Sequence, residues 1–363
     1  MAKMPSQIES HVKRTAAPRL EVQATVSAPK PQRISALDFT KGALVLIMVL
    51  YHWINYFIGP QWNYYDYLRF LTPSFIFITG FMISNVYLSK YDPTDSRLSK
   101  RLVTRGLKLI IIFVCLNMAR AFIVPALATG VVLRNLLDPV SIFTVFISGN
   151  LLALGGKLIS FSILVPISYL LMLSGALMVP YRFYRYTFHA LCLLLFLAIL
   201  ILGLAGVESQ NLELVSIGML GVLTGFISIA TINQFVRHPY MLGFAYLFYT
   251  IAIMIWGVPF PVQVVGVPLS VMVIYLVGIT GNDSGIVKSE VILLGKYSLF
   301  GYISQIAILQ ILSAGFRRID LGVALLGICF IAAFALTIMS VELVDRLRRR
   351  NPSIDRLYKA VFA

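Results

Sequence analysis

The sequence predicts an all-α fold: a polytopic membrane helix bundle of about ten transmembrane helices with both termini cytoplasmic. Three observations predict it. Of the 363 residues, 59% are hydrophobic and 12% charged, and mean hydropathy is +0.86; a soluble domain carries about 45–50% apolar and about 25% charged residues. Apolar stretches near the ~20 residues that cross a bilayer recur along the chain. Lys and Arg gather in alternate connections, as they do in cytoplasmic loops. One water-soluble core stops growing beyond about 250–300 residues. The composition therefore excludes a soluble enzyme, a disordered scaffold and a disulfide-stapled secreted domain.

Residues 1–33 are polar and basic, with Lys3, Lys13, Arg14, Arg19, Lys30 and Arg33. No apolar h-region follows the start, so the segment reads as a disordered cytoplasmic tail and not as a cleavable signal. A membrane domain is expected over 34–345, and a basic cytoplasmic tail over 346–363. The hydropathy pattern places spans at 39–58, 70–89, 107–128, 158–179, 188–206, 212–234, 241–257, 262–279, 298–314 and 321–344. The stretch 133–154 is interrupted by Asp138, Pro139, Gly149 and Asn150 and reads as a re-entrant or interfacial piece.

Charge supports this threading. The connection after the second span holds Lys90, Arg97, Lys100, Arg101, Arg105 and Lys108. Later inner connections hold Arg182 and Arg185, Arg237, then Lys288 and Lys296, and the chain ends beyond Arg346 and Arg348–Arg350. The outer connections 208–213 and 258–263 contain no Lys or Arg. Arg134, Lys157, Arg317 and Arg318 are the exceptions. Trp53, Trp62 and Trp256 fall near the outer face, where an aromatic belt sits. The net charge of +15 is thus assigned to loops and lipid contact and not to nucleic acid. Cys115, Cys192 and Cys329 lie in apolar runs and read as small hydrophobes. No internal repeat is visible.

Ionisable groups at membrane depth are costly and mark candidate sites. The first span is the richest source: Asp38, Lys41, His52, Asn55 and Tyr56. Lys41 and His52 are eleven residues apart, almost three turns, so they share one helix face about 16 Å apart. Asp38 lies one turn before Lys41, and pairing of the two in the inner headgroup zone is the plain alternative to a functional role. At the start of the second span Arg69 is expected to approach the level of His52, ahead of Pro73, Ser74, Thr79 and Gly80. Arg120 ends the third span, where it either serves the site or snorkels to the interface. Tyr302, Ser304 and Gln305 offer hydrogen bonds from the penultimate span. His11, His189 and His238 have no metal-ligating partner at suitable spacing, so no metal site is expected.

Three stretches carry a family resemblance. Residues 33–52 hold Arg33, Leu37-Asp38, Lys41-Gly42, and His52 eleven positions after the basic residue. Residues 71–81 contain Pro73-Ser74-Phe75-Ile76-Phe77 and Gly80. Residues 294–302 read Leu294-Gly295-Lys296-Tyr297-Ser298-Leu299-Phe300-Gly301-Tyr302. Together they resemble the integral-membrane acyltransferase superfamily, which includes the acyltransferase-3 family, glucan succinyltransferases and heparan-alpha-glucosaminide N-acetyltransferase. Lys41 stands where that pattern usually has Arg, which keeps the charge but loses the bidentate fork. Gln305 stands near a position that often carries a second His. At His52 the chain sides with the acyltransferase-3 pattern; the heparan enzyme has Asn there.

The resemblance implies an acyltransferase in the cell membrane, a bacterial inner membrane, with ten spans and no bound cofactor. It implies transfer of an acyl group, commonly acetyl, from cytoplasmic acyl-CoA (acetyl-CoA) to a glycan hydroxyl. His52 would act as general base or transient acyl carrier. Lys41 and Asp38 would meet the donor at the cytoplasmic entrance. Asn55, Arg69, Arg120, Tyr302 and Gln305 are the candidates for the acceptor or the oxyanion. The competing expectation is a transporter or polysaccharide export factor; a proton-coupled carrier would place carboxylates near the bilayer midplane, and none is placed there. Acceptor identity, the acyl group and oligomeric state, a homo-oligomer included, stay open.

Overall fold

The structure is a computed structural model that describes residues 34–59, 63–88, 96–123, 142–149, 160–280, 285–316 and 322–362. The N-terminal segment 1–33, Lys90, Trp62, Arg134, Lys157, Arg317, Arg318 and most of 133–154 lie outside the described residues. Among the described residues there is no strand. The helices are α1 (Ser35–Trp53), α2 (Leu71–Met82), α3 (Ser96–Ile123), α4 (Leu164–Tyr181), α5 (Thr187–Leu204), α6 (Gln210–Thr224) and α7 (Ile229–Val236). They continue with α8 (Pro239–Trp256), α9 (Phe260–Thr280), α10 (Ile286–Lys296), α11 (Ser298–Phe316), α12 (Val323–Arg350) and α13 (Pro352–Phe362). Among the described residues nine helical segments are long and apolar enough to cross a membrane, or ten if the bent pair α6–α7 is one span. The chain is a multi-pass membrane helix bundle.

Three features depart from the expected spans. The stretch 212–234 is not one straight helix: α6 and α7 meet at a bend of 100°. Ser228 is extended there, and its Oγ accepts from the Thr231 amide at 3.1 Å, capping a new helix. Second, α3 starts at Ser96, so Arg97, Lys100, Arg101, Arg105 and Lys108 occupy helical turns and not a loop. The Arg105 guanidinium donates to the Tyr87 hydroxyl, which ties this basic stretch to the end of the second span. Third, the connection carrying Lys288 and Lys296 is itself a helix, α10, with Lys288 buried.

The bundle closes through backbone-to-backbone crossings. A methyl group on Gly42 would sit 1.8 Å from the Val291 carbonyl oxygen, and one on Gly295 would sit 1.6 Å from that of Asp38. Helices α1 and α10 therefore touch along their backbones, which small residues alone permit. The pair α2–α6 repeats the device, with Gly80 against the Gly218 carbonyl and Gly221 against that of Phe77. Helix α1 also packs on α9, α11, α12 and α2, which makes it an interior helix of the bundle. Gly42, Leu44, Val45, Met48 and Val49 are its buried residues between the levels of Lys41 and His52. By contrast α5 and α8 are peripheral: Leu193, Leu197, Leu200, Phe244, Leu247 and Phe248 stand exposed, as lipid-facing side chains do. Trp256 is exposed at the end of α8. Trp53 instead turns onto Phe330 of α12, ring centres 5.3 Å apart.

The segment after α12 contains the amphipathic helix α13. Pro352 begins it, where a missing amide proton costs nothing. Arg348 spans the joint: its guanidinium lies over the rings of Tyr358 at 4.0 Å and Tyr297 at 5.2 Å. Its Nε and Nη2 donate to Asp355 Oδ1 at 2.9 and 2.6 Å. Phe362 reaches Phe300 of α11. Lys359, then Arg348, holds the Asp355 carboxyl below its ordinary value. A depressed carboxyl contributes stability above its unfolded value and loses it as pH falls through the folded one. The share of this that comes from Arg348 joins α13 to α12, so docking should be strongest at neutral pH and weaken as Asp355 protonates in acid. Arg348→Ala is expected to release the helix at neutral pH, seen as faster tryptic cleavage at Arg356 and Lys359 with the spans still protected.

Candidate functional site

Helix α1 changes winding directly after the residue of greatest chemical interest. The chain is α-helical through His52 and Trp53, then π-helical over Ile54–Ile58, and stops at Gly59 with φ of +110°. A π turn adds a residue per turn and redirects the side chains that follow; such turns are frequent at functional sites. Here it aims Tyr56 at α11, where the Gln310 amide Nε2 donates to the Tyr56 hydroxyl at 3.0 Å.

His52 faces the bundle interior. Its Nε2 is buried and has no hydrogen-bond partner among the described residues. Its ring lies 6.2 Å from that of Tyr302 on α11. Tyr302 is in turn walled by Phe75 of α2 at 6.5 Å and by Phe161 at 6.3 Å, edge to face. Gln305, one turn beyond Tyr302 on α11, is fully buried, and neither its Oε1 nor its Nε2 has a partner among the described residues. Each buried polar atom left unmet costs about 1–3 kcal/mol. Three such atoms, one beside Tyr302 and two a turn further along α11, leave hydrogen-bonding capacity that a polar ligand could meet.

A hydrogen-bonded frame holds one side of this place. Gln310 Nε2 donates to Ser160 Oγ at 2.8 Å as well as to Tyr56. Asn117 Nδ2 donates to the Ser160 carbonyl and to the Phe113 carbonyl, both at 2.9 Å, and Asn117 Oδ1 accepts from the Ser160 amide at 2.9 Å. The next residue, Phe161, has φ of +63°, a left-handed conformation that costs a residue with a Cβ about 1–2 kcal/mol. The Asn117 clamp holds that turn, and the turn puts the Phe161 ring on Tyr302. Arg120, one turn after Asn117, is buried and within electrostatic reach of Tyr56. Asn117→Leu removes three hydrogen bonds of about 1 kcal/mol each. It should lower unfolding stability by about 3 kcal/mol in a thermal or denaturant titration and loosen the wall of Tyr302.

The structure thus sets His52 beside Tyr302, with Gln305 one turn further along α11 and Arg120 linked through Tyr56, and leaves the other expected residues elsewhere. Asp38 and Lys41 form an ion pair of 2.6 Å at the far end of α1, with Asp38 almost fully buried. Asn55 lies half-buried on the π turn without a described hydrogen bond. Arg69 pairs with Asp66 at 3.6 Å and lines a separate polar cavity of about 230 Å³ with Thr72, Glu208, Gln210, Glu213 and Gln263. Tyr51 divides the two places: it lines that cavity, and its ring meets His52 edge-on at 5.2 Å.

Sequence reasoning does not single out Asn117, Ser160, Phe161 or Gln310. Asn117 has a signal, since it stands one turn from Arg120 in an otherwise apolar stretch. Ser160 and Phe161 have none, because their role rests on a turn that only the packed helices define. Compared with known proteins, the chain matches no family model, no curated protein and no solved structure.

Proposed function

We propose that the chain is an integral membrane acyltransferase that moves an acyl group, acetyl in the simplest case, from cytoplasmic acyl-CoA to a hydroxyl of a cell-envelope or exported glycan. One observation carries this reading: the buried Nε2 of His52, beside Tyr302, and the buried amide of Gln305, one turn beyond Tyr302 on α11, have no partner among the described residues. An imidazole nitrogen without a partner can accept the proton of a sugar alcohol. The alkoxide oxygen then attacks the thioester carbonyl, the carbon–sulfur bond breaks, and the CoA thiolate leaves and takes up a proton. The Gln305 N–H, with no acceptor of its own, suits the oxygen that gains charge in that step. Lys41, oriented by Asp38, is assigned to the phosphates of the donor, and Arg120 with Tyr56 to the acceptor hydroxyl as it reacts. A thioester arm coming from the Lys41 end must pass the level of Leu44, Val45, Met48 and Val49, so donor entry requires room beside α1.

The test uses purified protein in lipid nanodiscs with radiolabelled acetyl-CoA and succinyl-CoA, offered glycan-bearing membrane extract. Label in base-labile ester together with stoichiometric release of CoA thiol is the expected result. Absence of transfer from both donors, or glycan flux across proteoliposomes without any acyl-CoA, would replace the enzyme by an export factor.

A further inference from the structure

The polar cavity beside Tyr51 shares two residues with a second, apolar groove. Glu208 and Glu213 line both. The groove has a volume of about 600 Å³ and is walled by Phe196, Leu197 and Leu200 of α5 and by Phe260, Pro261 and Val264 of α9. Both helices are apolar enough to span the membrane, so the groove opens at lipid depth. Where the two spaces meet, the lining changes from hydrocarbon to carboxylate, amide and guanidinium.

We infer that this pair of spaces binds one amphiphile, a lipid with an uncharged, hydroxyl-rich headgroup, which presents that headgroup to His52 as the acyl acceptor. The acceptor role rests on the acyltransferase reading; the binding site does not. The polar cavity offers both hydrogen-bond donors and acceptors, from Arg69, Thr72, Gln210 and Gln263, with the Tyr51 ring as a flank. That mixture suits hydroxyl groups. Its charged groups are Arg69, Glu208 and Glu213, an excess of one negative charge, which disfavours a phosphate headgroup. At about 230 Å³ it is smaller than the roughly 300–1,000 Å³ of sites for drug-sized ligands, so it fits a single sugar ring and not an oligosaccharide. The groove takes the alkyl chain. Tyr51 lines this cavity and its ring meets that of His52 at 5.2 Å, which sets a headgroup hydroxyl toward the edge of the catalytic cluster.

The test uses the full chain in phosphatidylcholine nanodiscs doped equally with monoglucosyl diacylglycerol and phosphatidylglycerol, and counts retained lipids by native mass spectrometry without acyl-CoA. Monoglucosyl diacylglycerol should be retained about tenfold over phosphatidylglycerol. Glu213→Ala, in the polar cavity, and Leu200→Trp, which fills the exposed groove, should each remove the preference, while His52→Ala should keep it. Equal retention of both lipids, annular lipid only, overturns the inference, as does a preference that survives both variants. Adding acetyl-CoA separates the two claims. Selective retention without ester formation leaves the lipid site standing and removes the acyltransferase reading. Equal ester formation on water-soluble methyl glucoside leaves that reading standing and removes the acceptor role of the bound lipid.

Discussion

Replacing His52 by alanine is expected to lower acyl transfer by about 10²–10⁴-fold, the range typical of a positioned general base, while the protein remains folded. The two halves of this expectation have one cause. Because Nε2 meets no partner among the described residues, truncation leaves no donor or acceptor stranded, and the loss is confined to ring packing against Tyr51 and Tyr302. A histidine that merely glued helices together would behave in the opposite way, with stability falling first and activity falling only with it. Turnover of acetyl-CoA and thermal unfolding, measured on the same nanodisc preparation, separate the two. Gln305→Leu extends the comparison. It removes both unmet amide atoms, so the fold should gain stability where the catalytic rate falls.

The largest effect on stability is expected at the α1–α10 crossing. Gly42→Ala brings a methyl group to 1.8 Å from the Val291 carbonyl oxygen, and Gly295→Ala to 1.6 Å from that of Asp38. In each case the obstacle is backbone, so no side chain can rotate away and the helices must part by more than 1 Å. Ordinary overpacking of a core costs about 1–3 kcal/mol; each of these substitutions should cost at least about 3 kcal/mol. Gly243→Ala is the matched control, since its added methyl group meets nothing within 4 Å. On helix propensity alone it should gain up to about 1 kcal/mol. Fluorescence-detected size exclusion after a heating series reads all three. Equal melting of Gly42→Ala and Gly243→Ala would show that α1 and α10 do not touch through their backbones.

Much of the architecture is legible without coordinates because a bilayer permits few solutions. Hydropathy alone places α5, α8, α9 and α11 close to their observed bounds, since a span needs a fixed length of apolar chain. It cannot place the break between α6 and α7, where residues on both sides are apolar and the bend depends on the Ser228 cap and on Gly225 packing against Phe81. The helix α13 is readable in principle: Ile354, Leu357, Tyr358, Val361 and Phe362 keep a helical period behind Pro352. The arginines before it dominate a reading by charge.

The candidate site divides in the same way. His52 and Tyr302 stand out because polar groups are rare at membrane depth. Spacing on one helix makes Asp38, Lys41 and His52 look like a single stripe, yet Asp38 and Lys41 close on each other and the buried side chains between separate them from His52. Arg69 reads as a neighbour of His52 by depth, but depth carries no information about direction. The structure sets it on the other side of Tyr51, with Glu208 and Glu213.

The central claim is that the His52 imidazole and the Gln305 amide meet the reacting thioester. A cryo-EM structure with an inert acetyl-CoA analogue, in which a methylene separates sulfur from the carbonyl, tests this most directly. The account predicts that the His52 and Tyr302 rings part to admit the analogue's carbonyl carbon, its oxygen hydrogen-bonded to Gln305, with room opened beside Nε2 for an acceptor hydroxyl about 3–3.5 Å from that carbon. An analogue seated elsewhere in the bundle, with His52 Nε2 turned to lipid or still sealed by its neighbours as in the unliganded chain, would contradict it.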